Sequence, residues 1–176
     1  PNVQAAVAAQ RALIQAYSSL GKTDRVQTII EKLEQNVRSN PANLEEAVLL
    51  AEAYRTLQKK DDAYKTMDAI LGSPKLDPNI ILQLAQQYAA YVDYPKLELT
   101  LAKLVQLSPA SPEAWYDFAA IKSHVGKLPE AIEALKKSLD LSAKRRQKDP
   151  AARDLASEAK KDPRFTPLKE DPTFKK

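Results

Sequence analysis

Residues 112–145 read PEAWYDFAAIKSHVGKLPEAIEALKKSLDLSAKR, and this stretch decides the fold. Its apolar residues stand at Trp115, Phe118 and Ala119, then at Ala131 and Leu135. Spacings of three and four put each group on one face of a helix. Gly126 and Pro129 break the pattern, so the stretch reads as two amphipathic helices joined by a tight turn. Neither helix can hide its apolar face alone, and stacked neighbours must supply the core.

The same pattern recurs without gaps from Pro78 and from Leu44, a period of 34 residues. Leu50, Leu84 and Phe118 coincide, as do Ala51, Ala85 and Ala119, and Tyr54 falls over Tyr88. In the second helix Ala63, Leu97 and Ala131 coincide, and so do Met67, Leu101 and Leu135. A further copy starts near Val7, with Leu13, Tyr17, Val26 and Ile30 in matching places. Its offset is 37 residues, so about three extra residues fall in the loop from Arg38 to Asn43. The turns GKTD, QKKD, VDYP and GKLP end in Asp24, Asp61, Pro95 and Pro129 at one repeat place. Asp is expected to cap a helix there and Pro to fit its first turn.

This repeat resembles the tetratricopeptide (TPR) family, whose pattern is W-x2-L-G-x2-Y, then A-x3-F, then P. Trp115, Phe118, Ala119, Gly126, Ala131 and Leu135 carry it best, and Leu84, Ala85, Tyr88 and Pro109 carry it one copy earlier. Lys122 departs from the expected Tyr, and Ile81, Ala47 and Gln10 from the Trp. The resemblance covers residues 7–145. It implies an all-α, right-handed superhelix of about four helix-turn-helix hairpins plus a C-terminal cap. The repeats are expected near 7–43, 44–77, 78–111 and 112–145, within an array of 1–145, with a capping helix and DPxF tail over 146–176. It also implies a bacterial-type protein–protein interaction scaffold, and it is silent on the partner.

Composition agrees with helix. Ala, Leu, Gln, Lys and Glu abound, only three glycines occur, and most of the 12 prolines punctuate the periodic segments. There is no cysteine, which excludes disulfides, thiolate metal sites and cysteine nucleophiles. No apolar run reaches the length of a membrane span, and no signal peptide is visible, so no membrane insertion is expected and the compartment stays open. The chain begins at Pro1 rather than Met and reads as a piece of something longer.

Both ends stand apart from the repeat. Ala5, Ala6, Ala8, Ala9 and Ala12 give the first helix an unusually small surface. That fits an end cap, stacking on a preceding repeat, or a homo-oligomer contact through this helix. At the other end Ala151–Lys160 is expected to form a capping helix, with Asp149 as cap and Pro150 in its first turn. After it DPRF (Asp162–Phe165) recurs as DPTF (Asp171–Phe174). Each reads as a short turn pinning a Phe against the array, or as a tail that mimics a ligand.

Little in the chain suits catalysis, and no enzyme activity, metal site or cofactor is expected. His124 is the only histidine, expected exposed near a helix end, and Glu45/Glu46 and Asp61/Asp62 fall at helix starts, where acids favour the dipole. No phosphate loop, dinucleotide or zinc-protease motif occurs. Net charge is +4, and residues 142–176 hold 11 Lys/Arg against 6 Asp/Glu, leaving the rest near neutral. The cluster Lys144, Arg145, Arg146 and Lys148 is the one place suited to phosphates, but interleaved acids argue against nucleic acid.

The resemblance implies that the first helix of each copy lines a concave groove. One row of places there holds Arg11, Val48, Leu82 and Tyr116; the next Gln15, Glu52, Gln86 and Ala120; the last Ser18, Arg55, Ala89 and Ser123. The first row packs against the next copy or forms an apolar floor for a peptide or partner helix, with Arg11, Glu52 and Arg55 setting charge. Partner-binding residues are therefore expected among Arg11, Gln15, Val48, Glu52, Arg55, Leu82, Gln86, Tyr116, Ala120 and Ser123. Leu49, Asn79 and Gln83 stand where a carboxylate clamp would need Asn, Lys and a cation, so chaperone C-termini are not expected ligands. Two alternatives stay open: an oligomerisation or spacer module, and an accessory domain of an enzyme whose catalytic part lies elsewhere.

Overall fold

Every regular element of the computed structural model, which describes residues 3–170, is helical. In chain order these are α1 (Val3–Ser19), α2 (Thr23–Ser39), α3 (Leu44–Thr56), α4 (Lys60–Leu71), α5 (Pro78–Ala90), α6 (Tyr94–Leu107), α7 (Pro112–His124), α8 (Leu128–Lys148) and α9 (Leu155–Lys161). A 3-10 turn, η1 (Pro163–Phe165), and α10 (Thr166–Glu170) follow. The chain divides into two compact units, residues 1–87 and 88–176.

The repeat is written into the helix ends. Asn43, Asp77 and Ser111 precede α3, α5 and α7 at one repeat place, and each side chain accepts a hydrogen bond from a backbone N–H of the first turn. Such caps are worth about 1 kcal/mol each. Between the helices of each hairpin one residue sits in the left-handed region: Gly21 (φ 66°), Gln58 (57°), Val92 (58°) and Gly126 (78°). The residue after it donates its N–H five residues back, from Lys22 to Tyr17, Lys59 to Tyr54, Asp93 to Tyr88 and Lys127 to Lys122, at 2.8–3.0 Å. This bond closes the first helix in a Schellman turn. Glycine suits such a place, and a β-branched Val92 there is strained.

Two expectations about helix starts need correction. Asp24 and Asp61 lie one residue inside α2 and α4, whose caps, Lys22 and Lys59, make no side-chain capping bond. Inside the first turn an acid acts through the helix dipole rather than by capping. Residues 151–154 are not helical, and α9 starts at Leu155. Asp149 holds the N–H of Ala151 in a local turn, Arg146 pairs with Asp154, and Asp154 caps α9 through Ser157 N–H. An acid bonding its own backbone two residues on stops helix propagation.

In the first unit α3 is enclosed, burying Leu44, Ala47, Val48, Leu49, Leu50, Ala51, Ala53 and Tyr54. Helix α1 buries only Val7 and Ile14, against α2 and α3. Its Ala6, Ala9, Leu13 and Ala16, with Leu20 just past its end, form an exposed stripe at three- and four-residue spacing. In the second unit Leu135, Ala119 and Ala131 of the α7–α8 hairpin pack with Leu155, Ala159, Phe165 and Leu168 of the C-terminal segment. Phe165 is thus pinned as the sequence reading expected; the second motif's Phe174 lies outside the described residues.

Candidate functional site: the first-helix faces

In the first unit α1, α3 and α5 present a joint polar face. The guanidinium of Arg11 donates to both carboxylate oxygens of Glu52, at 2.7 and 3.2 Å, and to the side-chain oxygen of Gln83 at 3.2 Å. Arg55 donates to Gln87 at 2.9 Å, and Gln87 donates weakly back to Glu52 at 3.4 Å. Three helices are therefore cross-linked by one network of planar groups, with Arg11 and Glu52 only partly exposed. Around it Gln15, Arg55 and Gln86 are exposed, and Leu82 leaves 39% of its surface in solvent. Val48 is fully buried beneath this face. A first helix enclosed between neighbours turns only its narrow outer flank to water, and Val48 falls off that flank.

The second unit treats the same repeat places differently. Tyr116, Ala120 and Ser123 are buried by the chain's own C-terminal segment. The Tyr116 hydroxyl donates to Asp162 at 3.1 Å, and its ring meets Phe165 edge-on at 5.0 Å. Ser123 Oγ donates to the carbonyl of Arg164 at 2.7 Å. Burial and then Asp162 push the Tyr116 hydroxyl up to about 12. Burial would lift Asp162, but its bonds from Arg164 and Tyr116 hold it below the usual carboxylate range. The sequence placed these three residues on the helix face, and its one clue that residues 162–168 would cover them was the DPRF string.

Lys122, standing where the repeat expects Tyr, is buried and bonds both Glu98 and Glu130, with its ammonium 5.0 Å from the Phe118 ring centre. Burial opposes its charge, yet the two carboxylates raise its pKa above the ordinary value. Glu98 also takes Lys127; these two cations outweigh its burial and hold it below its ordinary range. The aliphatic stem fills the place of the ring and the head is neutralised, which is how a cation substitutes for Tyr in a packed position.

Two further features bear on binding. Arg145 is bidentate to Glu113, and Arg146 pairs with Asp154, so half of the basic cluster is neutralised internally, while Lys144 and Lys148 are exposed. In the first unit a cleft of about 780 Å³ opens among α2, α3 and α4, lined by Val37, Leu50, Tyr54, Ile70, Lys65 and Lys75. Pro41 and Ala42 of the longer first loop also line it, so the three-residue excess was its only sequence signal. His124 is exposed, its ring centre 4.0 Å from that of Tyr94. Among the described residues no cluster of three or more acidic or His side chains is poised for a metal, and no helix is long and apolar enough to cross a membrane.

No protein-family model matches the sequence, and no curated protein matches it significantly. Solved structures do. A crystal structure of MamA aligns at TM-score 0.55 and 18% identity, over 80% of this chain and 81% of that one. YrrB, described as a TPR protein with an unusual peptide-binding site, aligns at TM-score 0.53 and 13% identity, over 90% and 72%. This chain has the tetratricopeptide-repeat fold. TTC0263, a thermophilic TPR protein in Thermus thermophilus, matches at TM-score 0.50 and 22% identity, over 85% and 77%. Within the units, α1–α2, α3–α4 and α7–α8 are helical hairpins, each turned at its left-handed residue.

Proposed function

We propose that this TPR chain is a non-enzymatic protein–protein interaction scaffold that binds a peptide or partner helix on the face of α1, α3 and α5. The observation that supports it most is the Arg11–Glu52–Gln83–Gln87–Arg55 network. It holds polar groups from three helices in place before a ligand arrives, which lowers the ordering cost of binding. Exposed Leu82 beside it supplies an apolar contact, and Gln15, Arg55 and Gln86 supply donors and acceptors for a peptide backbone. Val48 supports the face from below, while Tyr116, Ala120 and Ser123 serve the covered face of α7. YrrB's described peptide-binding site supports a peptide as ligand class.

The test is to select ligands from a displayed peptide library against the whole chain. Leu82→Glu and Arg55→Glu should each weaken the selected peptides by about tenfold, near 1.4 kcal/mol, with helicity unchanged. Unaltered affinity in both variants contradicts the proposal.

One observation favours a second reading, assembly through α1. The stripe Ala6, Ala9, Leu13, Ala16 and Leu20 is exposed and uncharged, and Leu13 holds the repeat place at which Leu50 is buried. A dimer in solution that Leu13→Glu dissolves would support it; a monomer at all concentrations would contradict it.

A further inference from the structure

The contacts over α7 read a specific string. Asp162 accepts from the Tyr116 hydroxyl with one carboxylate oxygen and from its own Arg164 N–H with the other, at 3.1 and 2.9 Å. Pro163 opens the 3-10 turn, where a missing N–H costs nothing. Phe165 is fully buried against Tyr116. The residue between them is held through its main chain, by Ser123 on the Arg164 carbonyl, while its guanidinium folds back to donate to Asp162 at 2.7–3.1 Å. The Arg164 side chain lies half in solvent, over the Tyr116 ring and 3.6 Å from Asp117. The site therefore takes Asp162 and Phe165 by their side chains, accommodates Pro163, and leaves the third side chain half in solvent.

The chain has three phenylalanines, and two of them close an Asp-Pro-x-Phe string, at 162–165 and at 171–174. The second string keeps every side chain the site reads and places Thr173 at the third position. We propose that the α7 face around Tyr116 and Ser123 is a recognition site for an Asp-Pro-x-Phe turn, and that residues 171–174 are a second occupant eligible for it. Exchange leaves α9 docked through Leu155 and Ala159 and loops out the nine residues 162–170. Closing a loop of that length is a modest entropic cost. The first string prevails because it brings the Arg164 contacts, where the second has Thr173. This inference concerns the covered face of α7 and does not depend on the peptide reading of the first unit.

The test compares four whole chains: the unaltered protein, Phe165→Leu, Phe174→Ala and the double variant. Trp115, the only tryptophan, packs on the same core and reports unfolding through its emission. Phe174→Ala alone should leave the urea midpoint unchanged. Phe165→Leu should lower it mildly, because Phe174 takes the site. The double variant should lose at least tenfold more of the folding constant than the two single losses combined, and a synthetic Asp-Pro-Thr-Phe-Lys-Lys peptide at millimolar concentration should recover part of it. Additive losses with no recovery overturn the proposal. So does a large loss on Phe174→Ala alone, which would give Phe174 a place of its own.

Discussion

Helices α3 and α7 occupy the same place in their repeats, and their outer flanks have opposite fates. On α3, Glu52 and Arg55 stay at the surface, tied sideways to Arg11, Gln83 and Gln87. On α7, their counterparts Ala120 and Ser123 are small, and the C-terminal segment lies down on them. The repeat fixes backbone, caps and turns, since Asn43, Asp77 and Ser111 and the four left-handed residues recur regardless. The outer-flank side chains then decide whether a face stays open or is sealed. Long charged groups must keep their heads hydrated or paired, whereas Ala and Ser allow a second backbone within hydrogen-bonding distance.

The seal should break with the largest effect. Leu155→Ala empties a fully buried place beneath α9, and large-to-small changes in such positions cost about 2–5 kcal/mol. Urea unfolding followed by Trp115 should show this. Arg55→Ala on the open face should cost under about 1 kcal/mol. Equal losses would erase the distinction between the two faces.

Next in size is the buried cation. Lys122→Met should cost about 2 kcal/mol, below the 3–5 of a fully buried pair, because Lys127 remains on Glu98 and Glu130 is partly solvated. Acid should act on the same unit. Glu98 is held below its ordinary 4.5 by its lysines despite burial, and Glu113 is held below 4.5 mainly by Arg145. A carboxylate with a depressed folded pKa stabilises above its unfolded pKa, and the contribution disappears as pH falls through the folded one. The urea midpoint of the second unit should therefore fall as pH drops below about 4.5, and Lys122→Met should blunt the Glu98 share.

The smallest effect tests what the repeats share. Val92 adopts φ 58° where Gly21 and Gly126 adopt 66° and 78°. Val92→Gly should stabilise by about 1 kcal/mol, the relief of strain being partly offset by glycine's freedom in the unfolded chain. Gly126→Val should destabilise by a similar amount. If both changes are neutral in thermal unfolding, the left-handed turn is not a constraint of the fold.

The hairpins were legible because a 34-residue register repeats apolar places whose spacing is set by helix geometry, as Leu50, Leu84 and Phe118 show. The caps at Asn43, Asp77 and Ser111 were equally visible in that register but lay just outside the periodic stretch. The groove rows name one flank of each first helix, yet periodicity does not report depth: Val48 is buried while Leu82 is not. Lys122 looked like a departure from the pattern because its partners, Glu98 and Glu130, lie 24 and 8 residues away, beyond any local signal. The covering of Tyr116 depends on Asp162, 46 residues on, and its clue was the DPRF string rather than any helical period.

The most direct test of the open face is amide chemical-shift mapping of the whole chain, titrated with a peptide selected on it. The perturbed amides should cluster at Arg11, Gln15, Arg55, Leu82 and Gln86. Shifts confined to the outer stripe of α1, or to the cleft around Ile70 and Lys75, would contradict it.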